Sequence, residues 1–320
     1  NGTEAVGQVL RLRGLDDEHE GFEFTFDGTQ YDELAAGVYR PGDRVFAQGN
    51  VGPDGETTYY IINRERTGAI LWLALLFAAL VVAIGRLKGL RALVVLAMTF
   101  VVILKLIVPL TLQGYSPLPV ALIGGVLILG LAVYVTEGWN RASHLAVAAV
   151  TVVLAATGLL SSAFIGLAHL TGLESEDALF LLTSGSGTID MRGLLLVGII
   201  IGTLGVLDDV VISQISVIKE LKQANPSASL RTIYNQARSV GVSHLSSMVN
   251  TLFLTYAGAS LPLLLLFSVN GLAPLGFRQA VSNEMLATEI VRTLVGSIGL
   301  VLAVPVSTWL AVRFLPSKRD

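Results

Sequence analysis

Two adjacent carboxylates, Asp208 and Asp209, stand in the middle of an otherwise apolar stretch from Gly193 to Lys219. An Asp at the centre of a membrane helix costs about 2.5–3.5 kcal/mol on the insertion scale, while each Leu, Ile or Val returns only about 0.3–0.6 kcal/mol. Acids in such a helix face a bundle interior or a wet cavity, which makes them candidate ion or proton sites. Desolvation favours the neutral form of a carboxylate, and a like-charged neighbour favours it further, so the pair is suited to taking up and releasing H⁺. An ionised pair beside Ser or Asn oxygens suits Na⁺ equally well, and the residues alone leave both ions open.

On a helix of 3.6 residues per turn, Gly202, Gly205, Asp209, Ser213, Ser216 and Glu220 share one face. Asp208 points about 100° away, toward Leu204, Val211 and Ile215. Gly202 and Gly205 allow a neighbouring helix to approach, and the serines can carry hydrogen bonds or water onward from the acid. Asp209 is therefore expected to be the working carboxylate, and Asp208 to pair with a cation, tune its neighbour or contact another span.

A second polar stripe comprises His244, Ser247, Thr251, Thr255, Gly258 and Pro262, with Ser243, Ser246 and Asn250 beside it. The two stripes are expected to face each other, with Gly258 and Pro262 as packing positions. Single hydroxyls in membrane helices also bond their own backbone, and a His near the end of a span is commonly interfacial, so each carries a structural reading as well. Lys105, deep in an apolar span with Pro109 one turn later, is the candidate counter-ion for Asp208 or Asp209. Glu289 and Arg292 are spaced to pair locally, with Gly296 and Gly299 following as a close-packing seam.

The elements that must position these residues follow from composition. Only 14% of the residues are charged, against about 25% in soluble domains, which makes this a polytopic helical membrane protein. The chain has no cysteine, which excludes disulfides and thiolate chemistry. No nucleic-acid footprint, metal-ligand spacing or cofactor motif is present. Neither H-E-x-x-H, G-x-S-x-G nor a phosphate loop occurs, so the chain is not expected to be an enzyme.

About seven apolar spans are expected, near 68–87, 92–112, 117–137, 143–170, 193–218, 243–268 and 288–314. Basic residues cluster at Arg86, Lys88 and Arg91, at Arg141, at Lys219, Lys222, Arg231 and Arg238, and at Arg313, Lys318 and Arg319. By the positive-inside rule these loops and the C-terminus are cytoplasmic. Within the basic loop, Leu230, Ile233, Tyr234 and Ala237 predict a short interfacial helix over Ser227–Ser239. Residues 1–66 differ: short alternating runs at Val6–Leu12, Gly21–Phe26, Arg44–Gln48 and Thr57–Asn63 are broken by turns such as Pro41-Gly42-Asp43 and Gly52-Pro53-Asp54-Gly55. They predict a small extracytoplasmic β domain, a five-stranded barrel of the OB or SH3-like kind, ahead of a membrane domain over 67–320. The chain begins without Met, and an uncleaved anchor before Asn1 would make an even eight spans.

The runs Gly202-Thr-Leu-Gly-Val-Leu-Asp208-Asp209-Val-Val-Ile-Ser-Gln, Gly241-Val-Ser-His244-Leu-Ser-Ser-Met-Val-Asn250-Thr251-Leu and Tyr256-Ala-Gly258-Ala-Ser-Leu-Pro262 resemble the YibE/F-like family of bacterial membrane proteins. The similarity covers most of the chain and implies a bacterial inner-membrane location. More distantly, the chain resembles SecD and SecF and, through them, the resistance-nodulation-division transporters. In that likeness Asp209 matches the membrane Asp implicated in proton-driven coupling, and Ser243 to Thr251 match the hydroxyl-rich helix that follows it. Two departures are the extra helices after the first span and the small outer domain placed before it.

The resulting expectation is an ion-coupled transporter or energy-transducing subunit in the lipid bilayer, with H⁺ or Na⁺ at Asp209. The contrasting expectation is a passive channel or scaffold, a homo-oligomer whose β domains join subunits into a ring.

Overall fold

The computed structural model describes residues 8–16, 19–27, 38–51, 57–174, 176–184, 189–268 and 277–316. Val6, the Gly52-Pro53-Asp54-Gly55 turn and the terminal Lys318 and Arg319 lie outside them. The chain divides into two units, Asn1–Ile84 and Gly85–Asp320.

In the first unit, alternation of apolar and polar residues produces four strands. β1 (Val9–Arg13) pairs antiparallel with β2 (Glu23–Asp27), and β3 (Val45–Val51) with β4 (Thr57–Arg64) across a bulge at Phe46/Ala47. These are two separate two-stranded sheets, so the barrel expected from the sequence does not close among the described residues. Side chains join the sheets where a ladder would: the Phe24 and Tyr59 rings lie 4.5 Å apart, with Phe22 against Tyr59 at 5.7 Å. Aromatic pairs at such spacing are favourable on their own, without backbone pairing. Arg64 lies over the Tyr39 ring and donates to the Val38 carbonyl.

Helix α1 (Thr67–Val102) leaves helical geometry at Arg86, whose φ of 50° interrupts the run within the basic segment. It continues through a π-helical turn, Ile103–Ile107, into α2 (Val108–Leu112). The second unit then contains α3 (Pro117–Glu137), α4 (Arg141–Leu167), α5 (Glu176–Ser184), α6 (Met191–Ala224), α7 (Leu230–Ala259), α8 (Leu261–Ser268), α9 (Phe277–Val281) and α10 (Glu284–Phe314). Local chemistry sets the ends. Asn140, Asp190, Ser229 and Asn283 each accept a backbone N–H at a helix start. Gly138, at φ 82°, ends α3, and Pro226 cannot extend α6.

Five helices among the described residues are long and apolar enough to cross a membrane: Thr67–Leu112 taken as one run, α3, α4, α6 and α10. The seven-span count is not reproduced. The first two expected spans share the Thr67–Leu112 run, and the sixth, 243–268, is divided at Ser260 between α7 and α8. Pro262 explains that break, because it lacks an N–H and its ring crowds the preceding turn. The interfacial helix expected over Ser227–Ser239 is instead the first part of α7, since Gly241 is accommodated within the helix.

Helix α6 is the axis of the bundle. It touches α3, α4, α10 and α7, and along that series each helix also touches the next. Small residues permit these approaches: a Cβ on Gly299 would overlap Thr157 Oγ1, and one on Gly241 would meet Gln214 Oε1 and Val304 Cγ1 at 2.7 Å. Lys222 is buried and donates to the carbonyls of Val312 (2.8 Å) and Leu315 (2.5 Å), tying the end of α6 to the end of α10. Gly299→Leu is expected to lower stability by about 1–3 kcal/mol through overpacking. Gly166→Ala, whose Cβ meets nothing within 4 Å, should leave the melting temperature unchanged or raised. Thermal unfolding in detergent compares the two.

Candidate functional site

The four neighbours of α6 cover it unevenly. Thr203, Leu204, Leu207, Val210, Val211 and Gln214 are buried, whereas Gly198, Gly202, Gly205, Asp209, Ser213, Ser216 and Glu220 are all exposed. About six consecutive turns therefore present one uncovered stripe, and Asp209 sits at its centre. Asp208 is half-buried on the flank with Leu204, Val211 and Ile215, and its Oδ1 accepts the Asp209 backbone N–H at 2.9 Å. The two carboxylates thus occupy different surroundings, one against packed side chains and one in the open.

Helix α7 meets α6 through other residues than its hydroxyl stripe. Gly241 lies on Gln214, and Tyr256 reaches Gly202, which makes the helices antiparallel and brackets both acids between residues 241 and 256 of α7. Ile233, Ala237, Gly241 and Leu252 are the buried positions. His244, Ser247, Thr251, Thr255 and Gly258 lie about 90° around the helix from Gly241 and Leu252 and are exposed, as are Ser243, Ser246 and Asn250. The expectation that the two polar stripes face each other is therefore corrected. The reason is visible in the hydrogen bonds: Ser243, Ser246, Thr251 and Thr255 each donate to the carbonyl four residues back, so their hydroxyls need no neighbouring helix. Pro262, on α8, is exposed and does not share a helix with that stripe.

Lys105 lies in the π-helical turn and is exposed. Among the described residues it makes no ion pair with Asp208 or Asp209, because the turn places Ile107, rather than Lys105, against Gly124 of α3. Glu289 and Arg292 do pair, at 3.0 Å.

Three features add to the residues expected from sequence. Gln214, 4% exposed, donates to the Ala237 carbonyl and to Thr308 Oγ1, both at 2.8 Å, and ties α6 to α7 and α10. An uncharged Gln inside an apolar span is the signal that marks it. At the Gly202 end, Tyr256 lies within electrostatic reach of Glu289 and Arg292, and among the described residues Arg292 Nε and Thr288 Oγ1 are buried without a hydrogen-bond partner. At the other end, Glu137, Asn140, Ser143, Ser216 and Lys219 line a cavity of about 90 Å³ between α3, α4 and α6. From Gly202 to Lys219 the polar positions span about 26 Å at 1.5 Å per residue, close to the ~30 Å of a hydrocarbon core. Among the described residues no group of three or more His, Asp or Glu is placed to hold a metal ion.

These features define a helical membrane protein whose central helix carries Asp209 on its uncovered stripe and Asp208 at the edge of it. The chain belongs to the YibE/F-like protein family, whose family model matches residues 73–317. No curated protein and no solved structure matches the chain.

Water access distinguishes the two sides of α6. Cys substitutions at Ser213 and Ser216 are expected to react with a membrane-impermeant maleimide in opened membrane fragments. Thr203→Cys and Ser307→Cys, at positions 1% and 0% exposed, should stay unlabelled until the protein is denatured.

Proposed function

We propose that the chain is an ion-coupled membrane transporter or energy-transducing subunit in which Asp209 binds H⁺ or Na⁺. The observation that carries this reading is the exposure of Asp209 midway along the uncovered stripe of a helix whose other faces are packed. A carboxylate kept there for packing would be turned inward and paired. Asp209 instead has small residues on one side and Ser213 and Ser216 on the other, leading to the polar cavity with Glu137 and Lys219. Uptake of H⁺ removes the charge, and uptake of Na⁺ balances it. Either event changes the free energy of exposing that face and biases which arrangement of α6 against its neighbours is preferred.

The similarity of the α6–α7 pair to the Asp-bearing and hydroxyl-rich helices of SecD and SecF supports the same assignment. With basic loops inside, the cavity at Lys219 is the cytoplasmic end, the Glu289–Arg292 pair is the outer end, and the β unit lies outside a bacterial inner membrane. Asp208 acts on its neighbour as a positioning residue, through its bond to the Asp209 N–H. A second reading, a passive channel or scaffold, draws on the exposed hydroxyl face of α7.

Flux of H⁺ or Na⁺ into proteoliposomes under an imposed gradient tests the assignment. Asp209→Asn is expected to cut it about tenfold or more, equivalent to ~1.4 kcal/mol or more of lost stabilisation, without lowering the melting temperature. Undiminished flux in a folded Asp209→Asn protein would transfer support to the passive reading.

A further inference from the structure

We infer that the uncovered face of α6 is closed by a second copy of this chain, with Lys105 of each copy paired to Asp209 of the other. Lys105 and Asp209 are both exposed, both lie within candidate membrane spans, and neither has an ion-pair partner in its own chain among the described residues. Each unpaired charge in hydrocarbon costs about 2.5–3.5 kcal/mol. One chain leaves both charges open, whereas two chains related by a twofold axis neutralise all four.

Depth decides whether such pairing is geometrically allowed. A twofold axis along the membrane normal brings together only residues at the same depth, and the interface then forms twice. Packing contacts set the depths here. Ile107 lies against Gly124, and the adjacent Gly125 lies against Leu204, which places the π-helical turn level with the middle of α6. Pro117 lies against Gly193, so α3 and α6 run parallel, and the preceding turn runs opposite to them. Lys105 is thereby displaced from Ile107 in the same direction as Asp209 is from Leu204. At 1.5 Å per residue the two groups differ in depth by about 5 Å, within the reach of a lysine side chain.

The surroundings fit a helix of the same kind. Cβ atoms built on Gly198 and Gly205 meet nothing within 4 Å, while one on Gly202 between them meets the Tyr256 hydroxyl at 3.0 Å, so another backbone can approach the stripe closely at Gly205, one turn from Asp209. Phe100, Val101, Leu104 and Val108 surround Lys105 with exposed apolar side chains at the same level. The pairing in the same chain is prevented by Ile107, which anchors the turn on α3 with Lys105 turned away. This inference rests on unpaired charges and depth, and it holds whether or not Asp209 couples to an ion.

Charge exchange between two differently tagged copies in one membrane tests it. Lys105→Asp alone and Asp209→Lys alone each place like charges at both contacts of a homodimer, but together the two variants restore opposite charges at both. Co-purification of the two tags is therefore expected to exceed like-with-like association about tenfold, a difference of ~1.4 kcal/mol. Equal association of all combinations would overturn the proposal, and so would a wild-type chain that is monomeric by native mass spectrometry from lipid nanodiscs. Should either variant fold poorly, oxidation of co-expressed Lys105→Cys and Asp209→Cys copies gives a separate reading, because the chain has no cysteine of its own. A disulfide joining the two tags supports the proposal, and a bond formed only within a chain carrying both substitutions overturns it. Ion flux enters none of these readouts, so the outcome is separable from that of the transport assay.

Discussion

Hydrocarbon gives a polar group nothing to bond to, so every polar side chain on a spanning helix has to be satisfied by the protein, by water or by a partner. The bundle meets that constraint almost everywhere around α6. Gln214 is bonded on two sides, Lys222 spends its ammonium on two carbonyls, and Thr203, Thr157 and Ser307 each donate to a carbonyl four residues earlier. Against this background Asp209 stands apart, because it is a charge on the stripe of α6 that the four neighbouring helices leave uncovered. At about 2.5–3.5 kcal/mol per central Asp, against about 0.3–0.6 for each apolar residue, the exception outweighs several well-placed leucines.

The same constraint explains how the helices choose their contacting faces. Without a hydrophobic drive between helices in lipid, close packing selects small residues. Gly193 against Pro117, Gly299 against Thr157 and Gly241 against Gln214 are the points of approach. A hydroxyl already bonded to its own helix adds little to such a contact, which is why α7 turns Gly241 and Leu252 inward and leaves Ser247 and Thr251 outside. Polarity along a span is then a poor guide to which side is buried, and residue size is a better one.

This difference separates what was legible in the sequence from what was not. Periodicity placed Asp209 with Gly202, Gly205, Ser213 and Ser216 on one face and turned Asp208 toward Leu204 and Ile215, because the angle between positions on a helix depends only on the helix itself. It did not reveal that the face is uncovered, which depends on where α3 and α7 stand. Helix ends at Asn140, Asp190 and Asn225-Pro226 are set locally by caps and proline, although the spans expected from hydropathy were not drawn to those residues. The fusion of residues 227–239 with the following helix was not legible, since Gly241 reads as a breaker in isolation and serves as a packing notch in the fold. In the β unit the four alternating runs were legible, but closure into a barrel requires ladders between distant strands, and none of the runs encodes its neighbour. Lys105 was recognisable as a misplaced charge, whereas its direction is set by the π-helical turn, a single-turn feature with no composition signature.

The division between the two acids follows from a boundary rather than from their own chemistry. Asp208 and Asp209 are about 100° apart on one helix, and the edge of the packed region falls between them. Asp208 Oδ1 accepts the backbone N–H of Asp209, so the half-buried carboxylate is bonded within its own helix while the exposed one is not. A small rotation of α6 would carry the boundary across the pair, exposing Asp208 or enclosing Asp209. Interfaces built on glycine notches such as Gly241 and Gly299 have discrete seats rather than continuous ones, which gives that rotation end points. On the proposed reading, a change of charge at Asp209 would act at that boundary, because it would alter the cost of leaving the face uncovered.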